Sequence, residues 1–144
     1  LQAYSPVPIV TSSLLQIPLI ERILPSQKRV GILTADADAL TEVHLSGAGV
    51  CVPTAIAGLP EDSTFRLNML IGNTIIDRHE QEREVLTAID KLISDHNDIG
   101  AILLECTNLA PYAATIEANF GLPVYDIMTM LRWFYSGLRP RRYE

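Results

Sequence analysis

The chain has 144 residues, of which 48% are apolar and 19% charged, enough for one packed domain and too apolar for disorder. Its net charge of −6 argues against a nucleic-acid or anionic-membrane surface as the main partner. No apolar run reaches the roughly 18 residues of a membrane span, and no signal peptide is visible, so a cytoplasmic location is the expectation.

Residues 7–11 (VPIVT) read as a strand, with Ser12 and Ser13 as helix caps after it. An apolar helix follows over 14–24, interrupted by Pro18, where the regular helix begins or kinks. Glu21 and Arg22 are its only charges, so it should be covered on more than one side. Residues 29–34 (RVGILT) form the next strand and 35–40 its loop. A short helix starts at Thr41-Glu42, runs through Leu45 and is closed by Gly47 and Gly49. Residues 50–55 read as a third strand that puts Cys51 in the core, ended by Gly58-Leu59-Pro60. Residues 61–76 read as a loop with a short helix, in the manner of a flap.

The clearest helix spans 77–96, where Val85, Leu86, Ile89, Leu92 and Ile93 recur at helical spacing. Ile102, Leu103 and Leu104 then form a buried-strand run that hands over at Glu105-Cys106-Thr107-Asn108 to a helix carrying Pro111 in its first turn. Gly121-Leu122-Pro123 ends that helix, 124–126 is a last short strand, and 127–138 is a final apolar helix bearing Trp133, Phe134 and Tyr135. Strands alternating with helices indicate an α/β fold with a mostly parallel sheet and helices on both faces.

Cys106 is the residue around which the functional reading turns. In α/β sheets ligands bind at the carboxyl ends of strands, and a helix start there favours thiolate. Cys51 and Cys106 form no CxxC, and the scattered His44, His79 and His96 make no zinc cluster, so no metal is expected. Thr107 reads equally as a helix cap and as a hydroxyl for a substrate carboxylate, with the amide of Asn108 beside it. Thr34, Thr11, Ser12 and Ser13 end strands on the same edge and are second-rank candidates, the two serines more as caps than as ligands. Glu105 offers either a second acid/base beside the thiol or a half-buried carboxylate paired with arginine. His44 and His79 read as solvated.

The segment ILLECTNLAPYAATIEANFGLPVYD resembles the second cysteine motif of the aspartate/glutamate/hydantoin racemase superfamily, and VPIVTSSLLQIP and RVGILTADADAL resemble the middle of the same fold. The resemblance implies two similar α/β lobes with a site between them, each supplying a cysteine, Cys106 being the second. It implies that residues 1–27 are the remainder of the first lobe, 28–126 the second lobe, and 127–144 a helix and tail returning to the first. The implied activity is a cofactor-independent racemase or isomerase moving the α-proton of an amino acid or related small carboxylate. The alternatives are a single-cysteine malonate-type decarboxylase or maleate-type isomerase, or an incomplete lobe acting as a binding module. The implied partners are a carboxylate substrate and a second copy or the missing lobe. Glu105 stands where many relatives have glycine, and Asn108 where amino-acid racemases often carry histidine or glutamate.

Overall fold

A computed structural model describes residues 2–72 and 77–143. Its centre is a parallel sheet of four strands, β1 (Arg29–Thr34), β2 (Ala55–Gly58), β3 (Ile99–Leu104) and β4 (Val124–Tyr125), in the order β2-β1-β3-β4. The α/β expectation therefore holds. β1 and β3 are the inner strands, and side chains from Ala101 to Leu104 have no exposed surface. Alternation divides them between two faces. Leu33, Ile102 and Leu104 pack with Val85, Ile89, Leu92 and Ile116, while Val30, Ile32, Ala101 and Leu103 pack with Leu14, Ile17, Ile20 and Leu45. Each such Ile or Leu contributes roughly 1.5–3 kcal/mol by leaving water.

The first face is covered by α3 (Thr64–Ile71), α4 (Arg78–Asp95) and α5 (Ala113–Phe120), the second by α1 (Ile17–Ile23) and α2 (Glu42–Gly47). α1 begins with Pro18 in its first turn, after a 3-10 turn over Ser13–Gln16, so the proline opens the helix and does not kink it. Asp77 caps α4 by accepting from the amides of His79 and Glu80 at 3.0 and 3.1 Å. α6 (Ile127–Leu138) opens on a reciprocal cap: Asp126 Oδ1 accepts from the Thr129 amide at 2.7 Å, and Thr129 Oγ1 accepts from the Asp126 amide at 2.9 Å.

The structure corrects several expectations. Residues 7–11 form no strand: Pro6 and Pro8 remove amide donors from the segment, and Val7 is exposed. The third strand begins at Ala55, opposite Gly31, rather than at Val50. Pro53 cannot donate to a ladder, and Cys51 lies exposed on the connection instead of in the core, its thiol 3.5 Å from the Gly49 carbonyl. Leu19 and Ile23 of α1 and Trp133 of α6 are exposed, so among the described residues these helices are covered on one side only. α3 is the short helix expected in 61–76; the flap reading extends onto 73–76, which lie outside the described residues. No helix among the described residues is long and apolar enough to cross a membrane.

Candidate functional site

The sheet order creates a switch point. From β1 the chain passes to β2 on one side, and from β2 it returns over α3 and α4 to β3 on the other. The loops after β1 and β3 therefore diverge and leave a crevice at their carboxyl ends. Thr34 ends β1 there, and Glu105-Cys106 follow β3 there.

Two hydrogen bonds fasten the ends of these strands. The Glu105 amide donates to the Leu33 carbonyl at 2.8 Å, and the Thr34 hydroxyl donates to Glu105 Oε2 at 2.7 Å. Glu105 is thus half-buried and bonded to a threonine, not paired with an arginine as one sequence reading had it. From the other face, the buried Ser13 hydroxyl donates to the Leu104 carbonyl at 2.9 Å, two residues before the thiol. Ser12 caps the Ser13–Gln16 turn through the Leu14 amide at 3.1 Å.

Cys106 occupies the N-cap position of a 3-10 turn over Thr107–Tyr112, and α5 starts only at Ala113. Thr107 and Asn108 are exposed and neither caps a helix, which removes the cap reading of Thr107. The thiolate expectation is also corrected. Burial pushes the Cys106 thiol above its ordinary range, and the Glu105 carboxylate pushes it further; the nearby backbone amides of Asn108 and Leu109, the latter donating to the Cys106 carbonyl at 3.0 Å, pull the other way but do not offset burial. A six-residue 3-10 segment is too short to supply a strong dipole end.

Three adjoining hollows surround this point. One of about 380 Å³ is lined by Thr34, Asp36, Leu40, Met69, Glu105 and Cys106. A second of about 420 Å³ is lined by Thr11, Ser12, Ser13, Glu105 and Ile127, and a third of about 430 Å³ by Phe65, Arg78, Asn108 and Tyr112. Thr107 borders all three. The sequence-derived candidates therefore meet at one sheet edge, but they do not share one cavity: Thr34 and Cys106 face the first hollow, Thr11, Ser12 and Ser13 the second, and Asn108 the third.

Sequence reasoning missed four residues here. His44 lines two hollows, its Nδ1 accepting from the Thr41 amide at 3.1 Å. Asp36 lines the first and is paired with Arg66 at 3.0 Å. Arg78 lines the third. His44 sits three residues after the helix-opening Thr41, the spacing of a reciprocal cap, which was the one visible signal. The others come from separate elements joined only by folding. Among the described residues, no three His, Cys, Asp or Glu side chains cluster as a metal site.

No protein-family model matches the sequence. The chain is 26% identical over 140 residues to a dimethylsulfoniopropionate lyase of Durusdinium sp. clade D, an alignment that takes in 93% of this chain and 46% of that protein. It is 26% identical over 158 residues to dimethylsulfoniopropionate lyase 2 of Emiliania huxleyi (90% and 44%). To dimethylsulfoniopropionate lyase 7 of Emiliania huxleyi (strain CCMP1516) it is 24% identical over 144 residues (91% and 41%). The chain thus spans less than half the length of these relatives. All three carry the name of a lyase, and this overturns the racemase superfamily as the family and the isomerase as the reaction class. A thiol at a strand end serves any reaction that begins with loss of a proton beside a carboxylate; the motif holds no information on whether the resulting carbanion is reprotonated or expels a leaving group.

Proposed function

We propose that the protein carrying this chain is a lyase that cleaves a small sulfonium carboxylate of the dimethylsulfoniopropionate type by β-elimination, with Cys106 as the base. The observation that carries this reading is the half-buried thiol of Cys106 in the crevice between the ends of β1 and β3. The names of the similar proteins supply the reaction class.

In this reading the Cys106 thiolate takes a proton from the carbon next to the carboxylate. The C–H electron pair becomes the new carbon–carbon double bond. The bond from the β-carbon to sulfur breaks, and its pair stays on sulfur. Acrylate and neutral dimethyl sulfide leave, and the thiol returns its proton to water. A thiol pushed up by burial is a stronger base once ionised but is mostly protonated at neutral pH. The positive sulfonium entering the hollow favours the thiolate by direct attraction, so substrate binding itself promotes ionisation. The nearby backbone amides of Asn108 and Leu109 favour the charged sulfur. Thr107, and Arg78 in the adjoining hollow, are the groups available to the substrate carboxylate. A zwitterion has no net charge, so the overall −6 of the chain does not repel it. A free thiol base suits a reducing compartment, and on that ground we assign the chain to the cytoplasm.

The test is to incubate the full-length protein with dimethylsulfoniopropionate and measure headspace dimethyl sulfide and dissolved acrylate. Release of the two in equal amounts is expected. No release of either across pH 6–9 would overturn the assignment.

A further inference from the structure

We propose that Glu105 is the anionic contact for the onium group of the substrate, and that the hollow between Glu105 and Cys106 therefore accepts quaternary ammonium as well as sulfonium carboxylates. This rests on the lyase reading above.

Two carboxylates line the hollow that holds the thiol, and they differ in their partners. Asp36 is neutralised by Arg66 at 3.0 Å. Glu105 has no lysine or arginine within salt-bridge distance among the described residues. Its one side-chain donor there is the Thr34 hydroxyl, a neutral group on a residue only 4% exposed. A carboxylate has about four acceptor sites, so most of its capacity is open toward the cavity. With no fixed cation beside it among the described residues, this carboxylate is free to meet a positive group that enters the hollow.

The rest of the wall narrows what that visitor is. Ala35, Ala39, Leu40 and Met69 present methyl and thioether surface around Glu105. Asp36, His44 and Thr107 also stand in this wall, Asp36 already held by Arg66, but an ammonium turned toward the four apolar residues would leave its N–H donors unmet there. A methylated onium has no donors to satisfy. It gains from the charge on one side and from apolar contact on the other. The same carboxylate sits beside the thiol, so the onium bound to it lies where its charge also favours the thiolate. Glu105 is in this scheme a binding residue; the proton goes to Cys106.

The experiment measures binding by calorimetry to full-length protein, using two unreactive probes of matched shape. These are the zwitterion 3-(trimethylammonio)propionate and its isostere lacking only the onium charge, the 4,4-dimethylpentanoate anion, compared at high ionic strength so that their difference in net charge is screened. Wild type is expected to bind the cationic probe about 10-fold more tightly, the scale of one partly solvated charge contact. Glu105→Gln, which keeps an acceptor for Thr34 but removes the charge, is expected to abolish the preference. Cys106→Ser should retain it. Equal affinity of wild type for the two probes overturns the inference without any variant, and so does a preference that survives in Glu105→Gln. Should Glu105→Gln not fold, Glu105→Asp serves instead and must keep the preference. If dimethyl sulfide is released but the preference is absent, Glu105 loses its role and the lyase reading stands. If the preference vanishes in Glu105→Gln yet no dimethyl sulfide is released, the onium site stands and the lyase reading falls.

Discussion

Asp126→Ala tests how the second face of the sheet is fastened to the site. Asp126 is 6% exposed and accepts from the Thr129 amide at 2.7 Å, while the Thr129 hydroxyl accepts from the Asp126 amide at 2.9 Å. Gln16 Nε2 donates to the Asp126 carbonyl at 3.0 Å, which ties the start of α6 to the turn that carries Ser13. Loss of such a cap costs about 1–2 kcal/mol, and loss of a negative charge at a helix start adds roughly 0.3–1 kcal/mol. The expected destabilisation is therefore about 2 kcal/mol, or about 4–8 °C in Tm for a chain of this size. Thr129→Ala should cost about 1 kcal/mol, and the double variant less than the sum, because both act through one pair of bonds. Urea unfolding followed by far-UV circular dichroism gives these values. Ile127, the first residue of α6, lines the hollow shared with Ser13 and Glu105, so the variant should also weaken substrate binding. An Asp126→Ala protein within about 0.5 kcal/mol of wild type would refute the reasoning, since exposed substitutions routinely stay in that range.

Further outcomes follow from the site. A Cβ added at Gly58 would lie 2.7 Å from the Ala37 amide nitrogen, so Gly58→Ala should displace the loop after β1 and cost about 1–3 kcal/mol, read as a lowered urea midpoint. Glu105→Gln should move the pH profile of Cys106 alkylation, followed by peptide mass spectrometry to separate it from Cys51, toward lower pH, because it removes the repulsion between carboxylate and thiolate. An unshifted or upward-shifted profile would mean that the two groups do not interact. The fold favours the protonated thiol, so this contribution to stability is present below the unfolded thiol's value near 8.5 and is lost as pH rises through the higher folded value. Wild type should accordingly lose more stability than Cys106→Ala between pH 7 and pH 9.5, measured by urea midpoints; parallel losses would contradict the burial of the thiol.

Much of the architecture was legible because local signals and tertiary need agree. β1 and α6 fall on the expected residues: RVGILT alternates between two buried faces, and Asp126 with Thr129 marks a helix start. Residues 7–11 and 50–54 carry the same β-branched composition as true strands. What decides against them is the absence of a ladder partner and the prolines at 6, 8 and 53, which composition alone understates. Cys106 was visible as a strand-end thiol. Its ionisation was not, because burial depends on side chains brought from distant parts of the chain and outweighs the local amides. That Glu105 has no arginine or lysine partner among the described residues was equally hidden, since which carboxylate Arg66 meets is decided only by folding, and it meets Asp36.

The most direct measurement is the rate of dimethyl sulfide release by full-length wild type and by Cys106→Ser, at saturating dimethylsulfoniopropionate, with binding of the trimethylammonio probe confirmed for both. A hydroxyl is far too weak a base to replace the thiolate, so the serine variant should be at least about 100-fold slower while still binding the probe. Equal rates from the two proteins would contradict the account.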